Sequence, residues 1–578
     1  MASTRLGFRF ALVLTVAPLA PALAASPAPV EAEHGMVVTA EKLASQVGAD
    51  VLKKGGNAFD AAVAVGYALA VVWPEAGNIG GGGFMTLRTK DGQTNFIDFR
   101  ERAPKAASAN MYLDAQGTIV KGASTDGYLA VGVPGTVAGL ERVREKYGTM
   151  SRADLLEPAI RLARDGFVLS QGDAASFKAE AEKLRKDPAA AAIYLAPGGQ
   201  PRKTGDMFKQ PDLAASLSAI AEAGSDAFYK GAIADSIVKA SQDKGGILTK
   251  ADFEGYKVRE FKPVSCTYRG YEIVSAPPPS SGGVVVCEIL NVLEAYPLAK
   301  YGPGSAETVH VMAEAMRAAY ADRNASLGDP DFIKNPVDHL TDKKYAAEIR
   351  AGIKADKAGV SKIPASLKAP EPKHTTHFSI IDDAGDMVAV TYTLNDNFGT
   401  GVVAPGTGIL LNNEMDDFTS KPGVPNLYGL VQGEANAIAP GKTPLSSMSP
   451  TVVTKDGKPF MVIGSPAGSR IPTIVLEAIV NVVDFGMTIQ EAIDTPRIHH
   501  QWLPDEILTE PYALSPDTLK ILGKMGYKVH NDADWPVWGY GAGILVGGKD
   551  LAEIQKGGGA RYNGAMDSRA AAGASVGY

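Results

Sequence analysis

The chain has 578 residues, a length that suggests about four domains of average size. Hydrophobic residues make up 45% of it and charged residues 21%, a balance that is typical of a soluble globular protein and excludes a disordered one. The 57 basic and 64 acidic residues give a net charge of −7, which excludes a generally basic nucleic-acid-binding protein. The 63 glycines follow no collagen-like period, so they indicate many tight turns and close backbone approaches.

The first 25 residues are predicted to be a secretory signal. Arg5 and Arg9 supply the positive start, Phe10 to Ala20 form the apolar stretch, and Ala22-Leu23-Ala24 offers a cleavage site. The apolar run is too short for a membrane anchor and is interrupted by prolines. We therefore expect a mature protein that is periplasmic or secreted.

The next part of the chain alternates between helix and strand patterns. Ala61 to Trp73 is an apolar run of only 13 residues, which predicts a buried helix and not a membrane span. Residues 77–83 (GNIGGGG) form a glycine-dense turn, and the two strands after it are predicted to pair in a hairpin at Asp91-Gly92. The pattern from Pro134 to Lys262 is mainly helical, and residues 277–283 (PPPSSGG) form a rigid loop before another helix.

The two cysteines, Cys266 and Cys287, lie 21 positions apart. Export to an oxidising compartment makes a disulfide chemically possible, but the spacing does not show whether the two Cα atoms come close enough. Two buried free thiols are at least as well favoured by the sequence.

The sequence has an unusual junction directly before Thr375. Lys354 to Lys373 is rich in Lys, Ala, Pro and Ser, and it is predicted to be an exposed linker. Thr375 to Asp382 and Met387 to Thr393 follow it as two strands joined by the turn Asp383 to Asp386. A linker that runs directly into a core hairpin indicates either a domain boundary or a processing site.

No metal site is expected. The chain has eight histidines and two cysteines, and it contains no H-E-x-x-H pattern. His499 and His500 are adjacent, so on a strand they would point to opposite faces.

Several ordered motifs resemble those of the γ-glutamyltranspeptidase family, and the resemblance extends from about Glu41 to the C-terminus. The upstream motifs are Gly55-Gly56-Asn57-Ala58, Gly80 to Gly83 and Asp98-Phe99-Arg100-Glu101. The downstream motifs are Thr375-Thr376-His377-Phe378-Ser379, Thr391-Tyr392-Thr393-Leu394-Asn395, residues 411–418 (LNNEMDDF), residues 444–450 (PLSSMSP) and residues 464–470 (GSPAGSR).

The resemblance implies an N-terminal-nucleophile hydrolase with a four-layer αββα sandwich of α/β class. The precursor would cut itself between His374 and Thr375. A large subunit (residues 26–374) and a small subunit (residues 375–578) would then build the fold jointly and stay associated as a heterodimer.

Thr375 is the expected nucleophile. A threonine hydroxyl is a poor nucleophile at neutral pH and needs a nearby base, and an α-amine freed by the cut has a pKa of roughly 7.7–8.0. By resemblance, the hydroxyl of Thr393 hydrogen-bonds Thr375 and assists the cut. Ala467 and Gly468 would stabilise the oxyanion through their backbone N–H groups.

A γ-glutamyl group carries an α-carboxylate and an α-ammonium, so its site needs both donors and acceptors. The carboxylate is expected to bind Arg100, Ser446 and Ser447. The ammonium is expected to bind Asn395, Glu414 and Asp417.

Two positions depart from the family pattern. Family members carry Gln or Glu where this chain has Glu414, so here two carboxylates would flank the ammonium. The family usually has paired glycines where this chain has Ala467-Gly468, and alanine suits that position only if its φ is negative. Lys421 to Ala437 resembles the lid of those members that have one, with Tyr428 as the gate.

The resemblance implies that glutathione or another γ-glutamyl amide acylates Thr375, and that water, an amino acid or a peptide then accepts the group. No cofactor, nucleic acid or membrane span is expected to take part. One alternative is an acylase that removes glutaryl-type side chains such as those of cephalosporins. The other is a non-catalytic exported protein that binds γ-glutamyl compounds.

Overall fold

The computed structural model describes residues 26–362, 375–532, 538–547 and 560–578. The predicted signal, residues 363–373 of the predicted linker, and His374 lie outside these residues. The strands are β1 (Val30–Ala32), β2 (Met36–Thr39), β3 (Gly82–Arg88), β4 (Thr94–Asp98), β5 (Phe167–Val168), β6 (Leu195–Ala196), β7 (Gln200–Pro201), β8 (Met207–Phe208), β9 (Arg259–Phe261), β10 (Val264–Tyr268), β11 (Tyr271–Ser275), β12 (Thr376–Ile381), β13 (Met387–Thr393), β14 (Thr451–Lys455), β15 (Lys458–Gly464), β16 (Ile498–His499), β17 (Ile507–Thr509), β18 (Val529–Asn531), β19 (Ala542–Val546), β20 (Tyr562–Met566) and β21 (Ala574–Gly577).

The helices are α1 (Lys42–Lys53), α2 (Ala58–Val72), α3 (Thr136–Tyr147), α4 (Arg152–Asp165), α5 (Gln171–Ala179), α6 (Ala181–Arg185), α7 (Pro188–Tyr194), α8 (Pro211–Ala223), α9 (Ser225–Tyr229), α10 (Ala232–Asp243), α11 (Lys250–Glu254), α12 (Gly282–Leu293), α13 (Leu298–Tyr301), α14 (Ala306–Ser326), α15 (Val337–Leu340), α16 (Lys343–Gly352), α17 (Ile471–Val483), α18 (Ile489–Asp494) and α19 (Pro516–Met525). Within the described ranges, none of them combines the length and the apolar character that crossing a bilayer demands.

Two antiparallel sheets form the centre of the fold. The first sheet has the order β1-β20-β19-β15-β14-β11-β10, and the second has the order β21-β2-β12-β13-β3-β4-β9. They face each other through β12 and β13 on one side and β15 and β19 on the other. Helices α1 and α2 cover the second sheet, and α12, α17 and α18 cover the first. This arrangement is the expected four-layer αββα sandwich.

Both sheets combine strands from the two sides of position 375. The first sheet takes β1, β10 and β11 from the N-terminal part of the chain and its other strands from the C-terminal part. The second takes β2, β3, β4 and β9 from the N-terminal part, and β12, β13 and β21 from the other. The two parts therefore share one pair of sheets.

The hairpin of β12 and β13 lies in the middle of the second sheet. Every residue of both strands is buried, because helices cover one face of this sheet and the first sheet covers the other. A continuous buried run of this kind agrees with the strands and the turn that the sequence predicts here. The hairpin fixes the position of Thr375, which directly precedes β12.

Helix α2 is the predicted buried helix, and it packs against the hairpin. Asn57 caps its N-terminus and forms a capping box with Asp60. All of its residues are buried, and the hydroxyl of Tyr392 donates to the carbonyl of Gly66 at 3.0 Å. The β3–β4 hairpin around Asp91-Gly92 and the helical stretch after Pro134 are also confirmed.

Cys266 and Cys287 form a disulfide, so of the two alternatives that the sequence left open the structure has the bond and not the free thiols. Cys266 lies in the edge strand β10, and Cys287 lies in α12, which packs on that strand. The chain returns over the sheet between them, so the two Cα atoms are 5.8 Å apart. The bond fixes a covering helix to the edge of the first sheet.

Candidate active site

Thr375 and Thr393 lie opposite each other at one end of the central hairpin. Thr376 pairs with Tyr392, so the register sets Thr375 beside Thr393. The Oγ1 of Thr375 donates to the Oγ1 of Thr393 at 3.3 Å, and Thr393 also accepts from the N–H of Asn395 at 2.8 Å. The structure thus brings the predicted nucleophile and its predicted neighbour into contact.

A small cavity of about 20 Å³ adjoins this pair, which is room for roughly one water molecule. It collects residues from eight separated stretches of the chain. Its wall contains Arg100, Arg323, Thr375, Thr393, Asn395, Glu414, Asp417, Tyr428, Leu430, Ser446, Ser447, Met448, Gly468 and Ile471. The predicted site residues therefore converge on one place, and Ala467 adjoins it through Gly468.

Arg100, Glu414 and Asp417 form a buried ion cluster. Arg100 pairs with Glu414 and with Asp417, each at 2.5 Å, and Glu101 lies 4.0 Å from the same guanidinium. Burial raises the pKa of Glu414 and of Asp417, although Arg100 opposes the rise, and burial raises the pKa of Glu101 to about 7. Arg100 was expected to bind a substrate carboxylate, yet here it neutralises the predicted acceptors of the ammonium.

Asn395 is held by the predicted gate. The hydroxyl of Tyr428 donates to the side-chain oxygen and to the carbonyl of Asn395, both at 2.7 Å. The side-chain amide of Asn395 donates to the carbonyl of Asn413 at 3.0 Å. The amide oxygen that was predicted to accept from an ammonium thus has a tyrosine as its partner in this closed state.

Ser446 and Ser447 belong to a loop that packs on the predicted rigid loop at residues 277–283. The N–H of Ser446 donates to the carbonyl of Pro279 at 2.8 Å, and Ser281 donates to the carbonyl of Ser446 at 2.7 Å. The Oγ of Ser447 accepts from Arg323 at 3.1 Å. These bonds present both serines to the cavity.

Arg323 is a site residue that the sequence interpretation missed. It lies in α14, a helix in which it belongs to none of the recognised motifs. The only sequence signal for Arg323 was that a cation lies on a helix whose other faces are mostly buried. Such cations are common, so the signal is weak.

The turn that contains Ala467 and Gly468 has a left-handed backbone. Ala467 has a φ of 116° and Gly468 a φ of 51°. A Cβ added at Gly468 would lie 2.2 Å from the ring of Tyr428, so only glycine fits there. The positive φ of Ala467 is the unfavourable case for alanine, and it strains the turn in which the predicted oxyanion donors lie.

The segment of residues 421–437, which we call the lid segment, covers the cavity. Tyr428 is buried, with 5% of its surface exposed. Next to it, the N–H of Leu427 donates to a carboxylate oxygen of Asp416 at 2.9 Å, and Ser124 donates to the other oxygen at 2.7 Å. A cavity of about 20 Å³ is too small for a γ-glutamyl group in the described conformation.

His377 shares the buried strand with the predicted nucleophile. Its ring nitrogens lie 2.7 Å from the hydroxyl of Thr391 and 3.1 Å from that of Ser379. Burial lowers its pKa to about 3, so the ring is neutral at ordinary pH. Within the described part of the chain, no group of three His, Cys, Asp or Glu side chains is placed to hold a metal ion.

An αββα sandwich with a buried threonine directly before a central strand is the arrangement of the class of N-terminal-nucleophile hydrolases. The family model for gamma-glutamyltranspeptidase matches residues 44–576. This chain therefore belongs to the γ-glutamyltranspeptidase family.

Relatives and solved structures agree with this assignment. The chain is 58% identical to the glutathione hydrolase proenzyme of Pseudomonas sp. (strain A14), with 96% of each chain covered. It is 52% identical to the glutathione hydrolase proenzyme of Escherichia coli (strain K12), with 87% of each covered. It also resembles the crystal structure of a cephalosporin acylase from Bacillus halodurans, with a TM-score of 0.83, 28% identity, and coverage of 98% of this chain and 99% of that one.

Proposed function

We propose that this chain is a γ-glutamyltransferase and glutathione hydrolase that is made as a self-cutting precursor. The observation that carries the proposal is the contact between Thr375 and Thr393 beside a buried cluster of Arg100, Glu414 and Asp417. One reactive hydroxyl thus adjoins groups that suit both an ammonium and a carboxylate. The names of the curated relatives support the same activity.

The first step is a cut between His374 and Thr375. Before the cut the nitrogen of Thr375 is an amide without basicity, and after it the nitrogen is an amine that takes the proton of its own Oγ1. Thr393 supports this step because its hydroxyl oxygen accepts from Thr375 at 3.3 Å. The products would be a large subunit (residues 26–374) and a small subunit (residues 375–578).

The second step transfers the γ-glutamyl group. Thr375 Oγ1 attacks the γ-carbonyl, and the N–H groups of Ala467 and Gly468 stabilise the oxyanion. The amine product leaves with a proton from the Thr375 amine, and a γ-glutamyl ester remains on the enzyme. Water, an amino acid or a peptide then attacks this ester and regenerates the threonine.

The charges around the cavity favour a substrate group with an ammonium. On the cavity wall, Glu414 and Asp417 against Arg100 and Arg323 give a formal sum of zero. A γ-glutamyl group adds no net charge, whereas a glutaryl group adds a negative one to a buried site. This balance argues against the acylase alternative, which the similarity to the cephalosporin acylase structure raises.

We further propose that the mature enzyme is a heterodimer in the periplasm or outside the cell. The interleaved strands support an association that persists after the cut. The N-terminal signal pattern supports export.

The cut is tested on a denaturing gel of purified protein. The wild type is expected to give two bands, and Thr375→Ala is expected to give one uncut band without activity. Thr376→Ala is the matched control, because its hydroxyl has no hydrogen-bond partner in the described structure, and it is expected to be cut normally. A wild type that stays uncut after long incubation would refute the nucleophile.

The substrate is tested with two anilides that share one leaving group. Turnover of γ-glutamyl anilide is expected to exceed that of glutaryl anilide, since only the first carries the ammonium. Preference for the glutaryl compound would support the acylase instead.

A further inference from the structure

Arg323 is a buried cation whose hydrogen-bond partners are all uncharged. Its Nε donates to Ser281 Oγ at 3.0 Å, and one Nη donates to the side-chain oxygens of Asn324 at 2.8 Å and Gln432 at 3.0 Å. The other Nη donates to Ser447 Oγ at 3.1 Å. Only 1% of its surface is exposed. Within the described residues, no carboxylate lies within ion-pair distance of it.

Several other buried arginines of this protein have a carboxylate partner, whereas the guanidinium of Arg88 donates to the carbonyls of Thr89 and Gly457. Arg100 pairs with Glu414 and Asp417, Arg470 pairs with Asp532 at 2.9 Å, and Arg497 pairs with Asp567. A buried charge without a counter-charge is costly, and burial lowers the pKa of Arg323 to about 10. Because Arg323 also lines the cavity beside Thr375, an anion that enters this cavity would supply the missing counter-charge.

The bond to Ser447 fixes what that serine can do. Its oxygen accepts from Arg323, so its own hydroxyl hydrogen remains available for donation. No acceptor for that hydrogen is present in the described part of the chain. A carboxylate in the cavity would be such an acceptor, and the nearby guanidinium would strengthen the bond.

The bond to Gln432 connects the same arginine to the lid segment. Gln432 accepts from Arg323 and donates to the carbonyl of Asp417 at 3.2 Å. Asp417 is in turn paired with Arg100. The lid segment is thus bonded directly to Arg323, and it is linked to Arg100 only through Asp417.

We propose that Arg323 is a positioning residue for the α-carboxylate of the substrate: it holds Ser447 as a hydrogen-bond donor and adds a second positive charge beside Arg100. The proposal rests on the proposed function for the identity of the substrate, but it requires only that the substrate carries a carboxylate. Two arginines, Arg100 and Arg323 of α14, then share the recognition of that carboxylate.

The test compares γ-glutamyl anilide with 4-aminobutyryl anilide, which differs only by lacking the α-carboxylate. The variants are Arg323→Gln, which removes the charge, and Arg323→Lys, which keeps the charge but loses the fork. The matched control is Arg350→Gln on α16, whose guanidinium donates to the carbonyl of Asn291 and does not line the cavity.

In Arg323→Gln, the ratio of kcat/KM for the two substrates is expected to fall by about tenfold or more, through a higher KM for the γ-glutamyl compound. In Arg323→Lys the same ratio is expected to fall by about threefold. In Arg350→Gln it is expected to keep its wild-type value. An equal loss on both substrates would overturn the proposal, because a merely structural role reduces both alike.

If Arg323→Gln does not fold, Arg323→Lys decides the question. The proposal then requires that its loss of kcat/KM is confined to the substrate with the carboxylate. Failure of both variants to fold or to cut themselves would also overturn the proposal. If the wild type prefers glutaryl to γ-glutamyl anilide, the proposed function fails by itself. The carboxylate is then tested with glutaryl against butyryl anilide, and a loss confined to the glutaryl compound would still support Arg323.

Discussion

Ala467 has a backbone conformation that glycine adopts freely and alanine does not. Its φ of 116° lies outside the left-handed region that other residues visit at modest cost. The strain lies directly before Gly468, which lines the cavity, and before the turn that leads into α17. The methyl group faces Gly539, where an added Cβ would lie 2.7 Å from it. Gly539 therefore cannot carry a side chain while Ala467 keeps its methyl group in this place.

Substitutions at Ala467 are expected to rank by their tolerance of positive φ. Ala467→Gly should be as stable as the wild type or more stable by about 1 kcal/mol, because the relief of strain offsets the flexibility of glycine. Ala467→Val should lose both self-cutting and activity. Urea unfolding and γ-glutamyl anilide turnover measure the two effects, and an active valine variant would contradict the reasoning.

The sequence predicts well the positions of those site residues that stand in a local motif. Thr375, Thr393 and Asn395 stand in recognisable motifs, and the register of one hairpin brings the two threonines together. The conformation of Ala467 could not be predicted, because contacts with distant parts of the chain impose it. The same holds for the pairing of Arg100 with the carboxylates that were expected to bind the ammonium.

At the scale of elements, the lid segment is held by Tyr428 and by its neighbour Leu427. Tyr428 bonds Asn395, and Leu427 bonds Asp416 in the short helical turn that also contains Glu414. Asp416 is buried, and its pKa is raised to about 7 by that burial, while its hydrogen bonds lower it. The anchor of the lid segment is therefore a carboxyl group that titrates near neutral pH.

The stability that Asp416 contributes is expected to decrease as the pH rises. Its pKa is higher in the folded than in the unfolded chain, so its contribution is full below about pH 4 and is lost through about pH 7. The difference in the free energy of unfolding between Asp416→Asn and the wild type should therefore shift by about 2 kcal/mol in favour of the variant as the pH rises from 5 to 8. Urea unfolding at both pH values measures this gain.

The exposed Asp126, in the loop opposite, provides the control for that experiment. Asp126→Asn removes an exposed carboxylate and so controls for the loss of one negative charge from this part of the molecule. A constant difference for Asp416→Asn across the same range would contradict the role of its burial.

Elements with a strong local pattern were predicted correctly, and those that depend on packing were not. Buried helix α2 and the hairpin of β12 and β13 follow from apolar runs and turn residues. The part of α14 in the site does not, because Arg323 reaches the cavity only through the packing of that helix on two distant loops. The hydrophobic periodicity of a single helix does not predict a contact with distant loops.

At the scale of the molecule, the disulfide is the constraint that the sequence left open. It joins an edge strand of the first sheet to a helix that covers it. Two residues 21 positions apart approach each other only once the sheet and its covering helix have formed. For that reason the spacing alone did not decide between a bond and two free thiols.

Removal of the disulfide is expected to cost about 2–4 kcal/mol of stability. The double variant Cys266→Ser, Cys287→Ser should unfold at lower urea concentration than the oxidised wild type. Reductant should lower the midpoint of the wild type and leave that of the double variant unchanged. A double variant as stable as the oxidised wild type would show that the bond is not a stabilising element.

The interleaving of strands has a consequence for the fate of the two subunits in the cell. Strand β2 lies between β21 and β12, and β13 pairs with β3, so each part supplies neighbours that the other needs. After the proposed cut, the loss of one part would leave the other with open sheet edges and an uncovered apolar face. The two subunits would therefore share one lifetime, and a protease that destroys either of them would remove both at a ratio of one to one.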